Sequence, residues 1–121
     1  MKVAGLGFRQ SATLTDLQEA LALTGCAHPD ALASIRAKAD SPQMQSLAEA
    51  LNVPVIALSE DQISGVPTLT CSPRIKARFG TGSLAEAAAL VAGGPGARLT
   101  APRVITSNGF ATAAIAERTT P

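Results

Sequence analysis

Lys2-Val3-Ala4-Gly5-Leu6-Gly7-Phe8 opens the chain, and Thr13-Leu14-Thr15-Asp16-Leu17-Gln18-Glu19-Ala20-Leu21 follows a few residues later. The first stretch is short and mostly apolar, which suits a strand. In the second, Leu14, Leu17 and Leu21 recur at helical spacing, Thr13 stands as the N-cap with Asp16 three residues on, and Gly25 is the stop. A strand followed by a helix begins an α/β fold, and the alternation continues outward from there. Residues 30–38 alternate Ala33, Ile35 and Ala37 with Ser34, Arg36 and Lys38, the pattern of a half-buried strand. Ser41-Pro42 is an N-cap with proline at the first helical position, Met44, Leu47, Ala48 and Leu51 line one face, and Asn52 ends the helix. Residues 53–58 form a continuous apolar run, as in a buried strand.

The second half is less regular. Ser59 and Gln62 make a capping box, but Gly65-Val66-Pro67 stops that helix within about two turns. Residues 66–79 have no clear period and read as a long loop, a feature that is uncommon in compact domains and often functional. Ser83 with Glu86 predicts another capping box, and Leu84, Ala87, Ala88 and Val91 supply the apolar face of its helix. Gly93-Gly94-Pro95-Gly96 ends it. Residues 97–101 and 110–116 read as late strands, Val104-Ile105 can extend the first, and Ser107-Asn108-Gly109 marks a tight turn between them. Strands joined by a tight turn run antiparallel. The expected fold is therefore α/β: a three-layer α/β/α sandwich with a mixed, mostly parallel sheet of about five strands, in one domain spanning residues 1–121.

Composition narrows function. There are three Phe, no Trp and no Tyr, so the chain lacks the aromatic platforms on which single-stranded nucleic acid stacks. The net charge of +1 gives no global field toward nucleic acid or membrane, and no uncharged apolar run is long enough to span a bilayer. Cys26 and Cys71 form neither a CxxC pair nor a Cys/His cluster, and the N-terminal apolar run is too short for a signal peptide. The expectation is a cytoplasmic protein with reduced thiols, no metal site and no cofactor.

Charge is uneven along the chain. Residues 1–61 carry four cations against seven acids, whereas residues 62–121 carry six against two. Arg74, Lys76 and Arg78 precede the run Phe79-Gly80-Thr81-Gly82-Ser83-Leu84-Ala85-Glu86, where two glycines and two hydroxyl residues lead into a helix. Backbone N–H groups and the macrodipole at a helix start suit an anion, so a ligand with several carboxylates or phosphates is expected there. As structure alone, Ser83 caps the helix and the glycines make the turn. In an open α/β sheet, ligands bind at the C-terminal ends of the parallel strands. The loop after the first strand (with Arg9), Lys38 with Asp40, and residues 80–83 should gather there.

Other motifs are weaker. Gly5-Leu6-Gly7 is a partial dinucleotide fingerprint, but Gln10 holds the third glycine position; close strand–helix packing explains the glycines equally. Residues 80–83 are not a Walker loop, because no Gly-Lys-Ser/Thr follows. His28 is the single histidine and sits in a connecting loop, which suits neither a metal site nor a triad. Lys38 and Asp40, or Glu86, are the candidates for general acid or base, while Lys38 and Asp40 also fit a surface ion pair.

Four stretches in order, Gly5-Leu6-Gly7-Phe8-Arg9, Ala33-Ser34-Ile35-Arg36-Ala37-Lys38-Ala39-Asp40, Gly80-Thr81-Gly82-Ser83-Leu84-Ala85-Glu86-Ala87-Ala88-Ala89-Leu90 and Ala113-Ala114-Ile115-Ala116, resemble the CobE and CbiG C-terminal-domain family of cobalamin (vitamin B12) biosynthesis. The resemblance spans nearly the whole chain and is closest in length to the free-standing CobE form of the aerobic pathway. Two positions depart from the family's habit, which often has Glu at Asp40 and Lys at Arg103 after Pro102; both keep the charge and change its reach. The resemblance implies binding of a carboxylate-rich precorrin or other corrinoid intermediate, as carrier or protector, with neighbouring cobalamin-pathway enzymes as partners. The alternative it implies is a CbiG-like hydrolase or isomerase acting on a precorrin. Together with the charge pattern, it makes Arg9, Lys38, Arg74, Lys76, Arg78, Gly80, Thr81, Gly82, Ser83 and Arg103 the expected ligand-binding residues.

Overall fold

A computed structural model describes residues 1–118. Its sheet has the order β3-β2-β1-β5-β4, built from β1 (Lys2–Phe8), β2 (Ala31–Ile35), β3 (Val55–Leu58), β4 (Arg98–Ile105) and β5 (Ala111–Glu117). β1 pairs in parallel with β2, and β2 with β3; β5 runs antiparallel to both β1 and β4. Four of the five strands therefore point the same way, and the sheet is mixed as the closing turn requires.

Helices cover both faces. On one side α1 (Leu14–Leu23) and α3 (Pro42–Leu51) bury Leu17, Leu21, Met44 and Leu47 against Ala4, Leu6, Leu32 and Ile115. On the other, α6 (Leu84–Gly93) and the single turn α4 (Glu60–Ile63) bury Leu84, Ala87, Ala88 and Ile63 against Val3, Ala33, Ile35 and Leu58. The predicted caps form: Thr13 and Asp16 exchange bonds of 3.2 and 2.9 Å, and Ser59 and Gln62 bonds of 3.2 and 2.8 Å. Gly5 fixes the distance between α6 and the sheet. A Cβ there would overlap the Ala85 carbonyl oxygen and lie 2.7 Å from the Ala89 nitrogen, so the helix backbone rests directly on β1. This close packing, and not a dinucleotide turn, accounts for the glycine.

Three elements differ from the sequence reading. The strand expected over residues 30–38 is shorter, and it is buried along its whole length. β2 lies between two strands with helices on both sides, so its polar position had to be satisfied internally; the Ser34 hydroxyl donates to the Leu6 carbonyl at 2.7 Å. The chain leaves the sheet where Arg36 reaches solvent and turns into α2 (Arg36–Ala39), so Lys38 is helical. Residues 66–79 are not all loop, because α5 (Pro73–Phe79) forms behind an Ser72 cap with Pro73 in its first turn. α5 buries no residue fully, so it had no apolar period to reveal it. The box expected at Ser83 and Glu86 is half made: Ser83 accepts from the Glu86 N–H at 3.2 Å, but the Glu86 carboxylate turns elsewhere. Pro102 falls where the β4 pairing shifts register, which an edge strand tolerates.

Candidate functional site

A cleft of about 640 Å³ opens at the C-terminal ends of β1 and β2. β1 and its exit contribute Gly7, Phe8 and Arg9, α2 contributes Lys38, and α5 contributes Arg74, Ile75, Arg78 and Phe79. Leu84 at the start of α6 and Thr112 of β5 also line it, and Arg103, Ile105 and Phe110 close it from the β4–β5 hairpin. Five cations line this space, and no acidic residue does.

Local folding explains the arrangement. Arg74 and Arg78 are four residues apart on α5 and share its cleft face, whereas Lys76, two residues from each, projects from another face and does not line the cleft. The Arg9 N–H donates to the Phe110 carbonyl at 2.9 Å, which ties the exit of β1 to the hairpin. All three phenylalanines line the cleft, and a cation stands over each ring: Lys38 over Phe8 at 5.1 Å, Arg9 over Phe110 at 5.3 Å and Arg78 over Phe79 at 4.5 Å. The rings offer apolar surface and hold the cations by their faces, without neutralising them.

Most of these charges have no acidic partner. Among the described residues the ion pair is Arg78 with Glu60, at 2.8 Å. A second bond of 3.2 Å makes it a fork. This contact holds the Glu60 carboxyl below the usual carboxylate range and raises Arg78 further above its own. Burial pushes the Lys38 ammonium below the ordinary lysine value, since no acid compensates the lost hydration. Arg103 is the clearest case. Its backbone N–H is held by Glu86 at 2.8 Å, while its side-chain Nε is buried without a hydrogen-bond partner. A buried donor left unpaired is costly to the free protein.

Glu86 is fully buried, and its carboxylate accepts four bonds. Oε1 takes the Leu69 and Thr70 N–H groups at 2.8 and 3.0 Å; Oε2 takes the Thr70 hydroxyl at 3.1 Å and the Arg103 N–H at 2.8 Å. One carboxylate thus joins α6 to the segment leading into α5 and to β4. These four bonds engage all of its acceptor sites. Asp40 is exposed at the end of α2 and outside the cleft, so it does not stand with Lys38 as an acid–base pair.

Residues 80–83 stand behind the cleft. Gly80 caps α5 at φ 75°, Thr81 donates its hydroxyl to the Val66 carbonyl at 2.8 Å, and the Gly82 carbonyl accepts from the Ser72 N–H at 2.8 Å. Gly82 packs so closely on the 68–71 segment that a Cβ would come within 2.7 Å of Thr68 Oγ1. Of the residues expected to bind ligand, the cleft gathers Arg9, Lys38, Arg74, Arg78 and Arg103; Lys76, Gly80, Thr81, Gly82 and Ser83 do not line it. His28 is exposed ahead of β2 and is not part of it either. Sequence reasoning placed Phe8 and Phe79 in stretches expected near the site but named neither as ligand-binding, and it missed Phe110, Ile105 and Thr112. Arg78-Phe79 was a visible clue, because those neighbours do stack; the Arg9–Phe110 and Lys38–Phe8 pairs exist only after folding.

The family model described as "Cobalamin synthesis G C-terminus" matches residues 2–116. The chain belongs to that family. This cobalamin-synthesis domain is similar in structure to CobE, a protein from the cobalamin biosynthetic pathway, with TM-score 0.81 and 30% identity over 100% of this chain and 92% of that one. It is similar to the cobalamin biosynthesis protein chiG from Agrobacterium tumefaciens str. C58, with TM-score 0.74 and 30% identity over 99% and 100% of the two chains. A cobalamin biosynthesis protein G homolog from Sulfolobus solfataricus shares the fold at TM-score 0.69 and 21% identity, over 95% of this chain and 36% of that one. No curated protein sequence matches the chain significantly. Among the described residues no helix is long and apolar enough to cross a membrane, and no group of His, Cys, Asp and Glu gathers as a metal site would require.

The Glu86 clasp gives a direct test. Glu86→Ala leaves three backbone N–H groups without their acceptor and should cost about 3 kcal/mol or more; Glu86→Gln, which turns an amide NH2 toward those donors, about 2 kcal/mol. Urea denaturation monitored by circular dichroism measures both. Losses below about 0.5 kcal/mol, the range of ordinary surface changes, would contradict the assigned role.

Proposed function

We propose that this cobalamin-synthesis domain binds a carboxylate-rich precorrin or related corrinoid intermediate in the five-cation cleft, as its carrier or protector in the aerobic pathway, within the cytoplasm. One observation carries the reading: a cleft lined by Arg9, Lys38, Arg74, Arg78 and Arg103, by three phenylalanines and by no acid. Precorrins are flexible macrocycles rimmed with acetate and propionate groups. The ring suits the apolar and aromatic surface, and the rim suits the guanidinium groups, which engage carboxylates in forks. Hydrogen bonds to charged groups contribute about 1.5–3 kcal/mol each. Three of them plus ring contact approach the roughly 8 kcal/mol of micromolar binding after ordering costs are met.

A hydrolase or isomerase remains the second reading, because burial weakens the hold of Lys38 on its proton, the direction of change a general base requires. It lacks a matching acid: Glu86 is committed to four hydrogen bonds, and Asp40 lies outside the cleft. Binding is the function this geometry favours.

Uroporphyrin, a fluorescent octacarboxylate tetrapyrrole, serves as a stand-in ligand. Arg74→Ala and Arg103→Ala should each weaken its binding about tenfold or more, whereas Lys76→Ala should change it less than about twofold. Fluorescence titration measures this. Undetectable binding by the wild type, or a Lys76→Ala loss equal to that of Arg103→Ala, would count against the reading.

pH supplies a second check. A bound carboxylate raises the Lys38 pKa above its depressed value in the free protein. Below the free-protein pKa the ammonium is charged in both states and its contribution to affinity is complete. As pH rises from there toward the pKa in the complex, binding takes up a proton and affinity falls. Titrations across the alkaline range should show this fall in the wild type and a flatter profile in Lys38→Met. Identical profiles would remove Lys38 from the ligand contact.

A further inference from the structure

We infer that a tetrapyrrole enters this cleft edge-first and keeps its far edge, with that edge's carboxylates, in solvent, where a second protein can grip it before this chain lets go. The inference rests on the proposed function and adds how the ligand is held and released. Size is the first ground. The cleft measures about 640 Å³, in the middle of the range that encloses a drug-sized molecule, and a tetrapyrrole with a full set of acetate and propionate arms is larger than such a molecule. Charge is the second. Five cations line the cleft, Arg78 already shares its fork with Glu60, and they cannot match eight rim carboxylates. Neither of two further clefts on the described surface takes up the remainder: one is lined by Glu49 and no cation, and the other has Arg98 as its one charged residue.

The lip is the third ground. Ile105 lines the cleft yet is 49% exposed, an apolar side chain placed where the ring would emerge. Arg103 stands two residues earlier on β4, with its buried Nε unpaired. An inserted edge would place its carboxylates at Arg103 and its neighbours, and the ring would run outward past Ile105. A macrocycle held in this way stays open to a receiving protein on its outer side. Transfer then needs no free, unprotected intermediate.

The test uses uroporphyrin I, whose four edges are equivalent, with biotin tethered through a single amide. Edge-first binding always leaves an untagged edge to insert. The tagged porphyrin should bind within about threefold of the untagged one, and streptavidin should co-elute with protein and porphyrin as a ternary complex in gel filtration. Full binding of the untagged porphyrin with a tenfold or greater loss for the tagged one, or stripping of the ligand by streptavidin, would overturn edge-first binding while leaving the proposed function standing. Failure of untagged uroporphyrin to bind at all would sink both.

Discussion

A single buried carboxylate, that of Glu86, holds the two sides of the cleft in register. Its charge has been removed from water, so each of its lone pairs must meet a donor. The donors come from Leu69 and Thr70 on the way to α5 and from Arg103 on β4, three positions that neither helix nor sheet ladder would otherwise bring together. Arg74 and Arg78 descend from the first segment, and Arg103 belongs to the second. Glu86 reaches both because α6 lies directly on β1, and α6 lies there because Gly5 carries no side chain. From Gly5 to α6 to Glu86, packing without charge ends by fixing the spacing of charges.

The cleft holds cationic side chains partly out of water at a cost to the free protein. Lys38 shows that cost as a weakened hold on its proton, and Arg103 shows it as a buried nitrogen with nothing to bond. Three phenylalanine faces and Glu60 offset part of it. Under the proposed function, the remainder is free energy that a bound polyanion would recover, so that such a ligand would stabilise the fold that receives it. Membership in the cobalamin synthesis G C-terminal family is what makes polycarboxylate macrocycles the proposed ligands.

Local sequence made much of the fold legible. Caps at Thr13 and Ser59, proline after Ser41, and the apolar stripes of α1, α3 and α6 depend on neighbours three or four residues away, and all appear where their spacing predicts. What escaped depended on distant partners. Ser34 looked outward-facing because nothing local reveals the Leu6 carbonyl that satisfies it. α5 was hidden for want of a buried face, although Ser72-Pro73 repeats the signal of Ser41-Pro42. The site divided along the same line. Cations could be counted from sequence and five of them do meet, but the turn at residues 80–83 resembled an anion nest while its polar groups were destined for Val66 and Ser72. The aromatic lining became visible only when the closing hairpin and α2 brought cations to Phe110 and Phe8.

A crystal structure of the protein grown with uroporphyrin tests the account most directly. It predicts porphyrin density in the cleft between α5 and the β4–β5 hairpin, with a carboxylate oxygen within hydrogen-bond distance of the Arg103 guanidinium. Density outside that cleft, or a carboxylate on the backbone of residues 80–83 with the Arg103 guanidinium untouched, would contradict it.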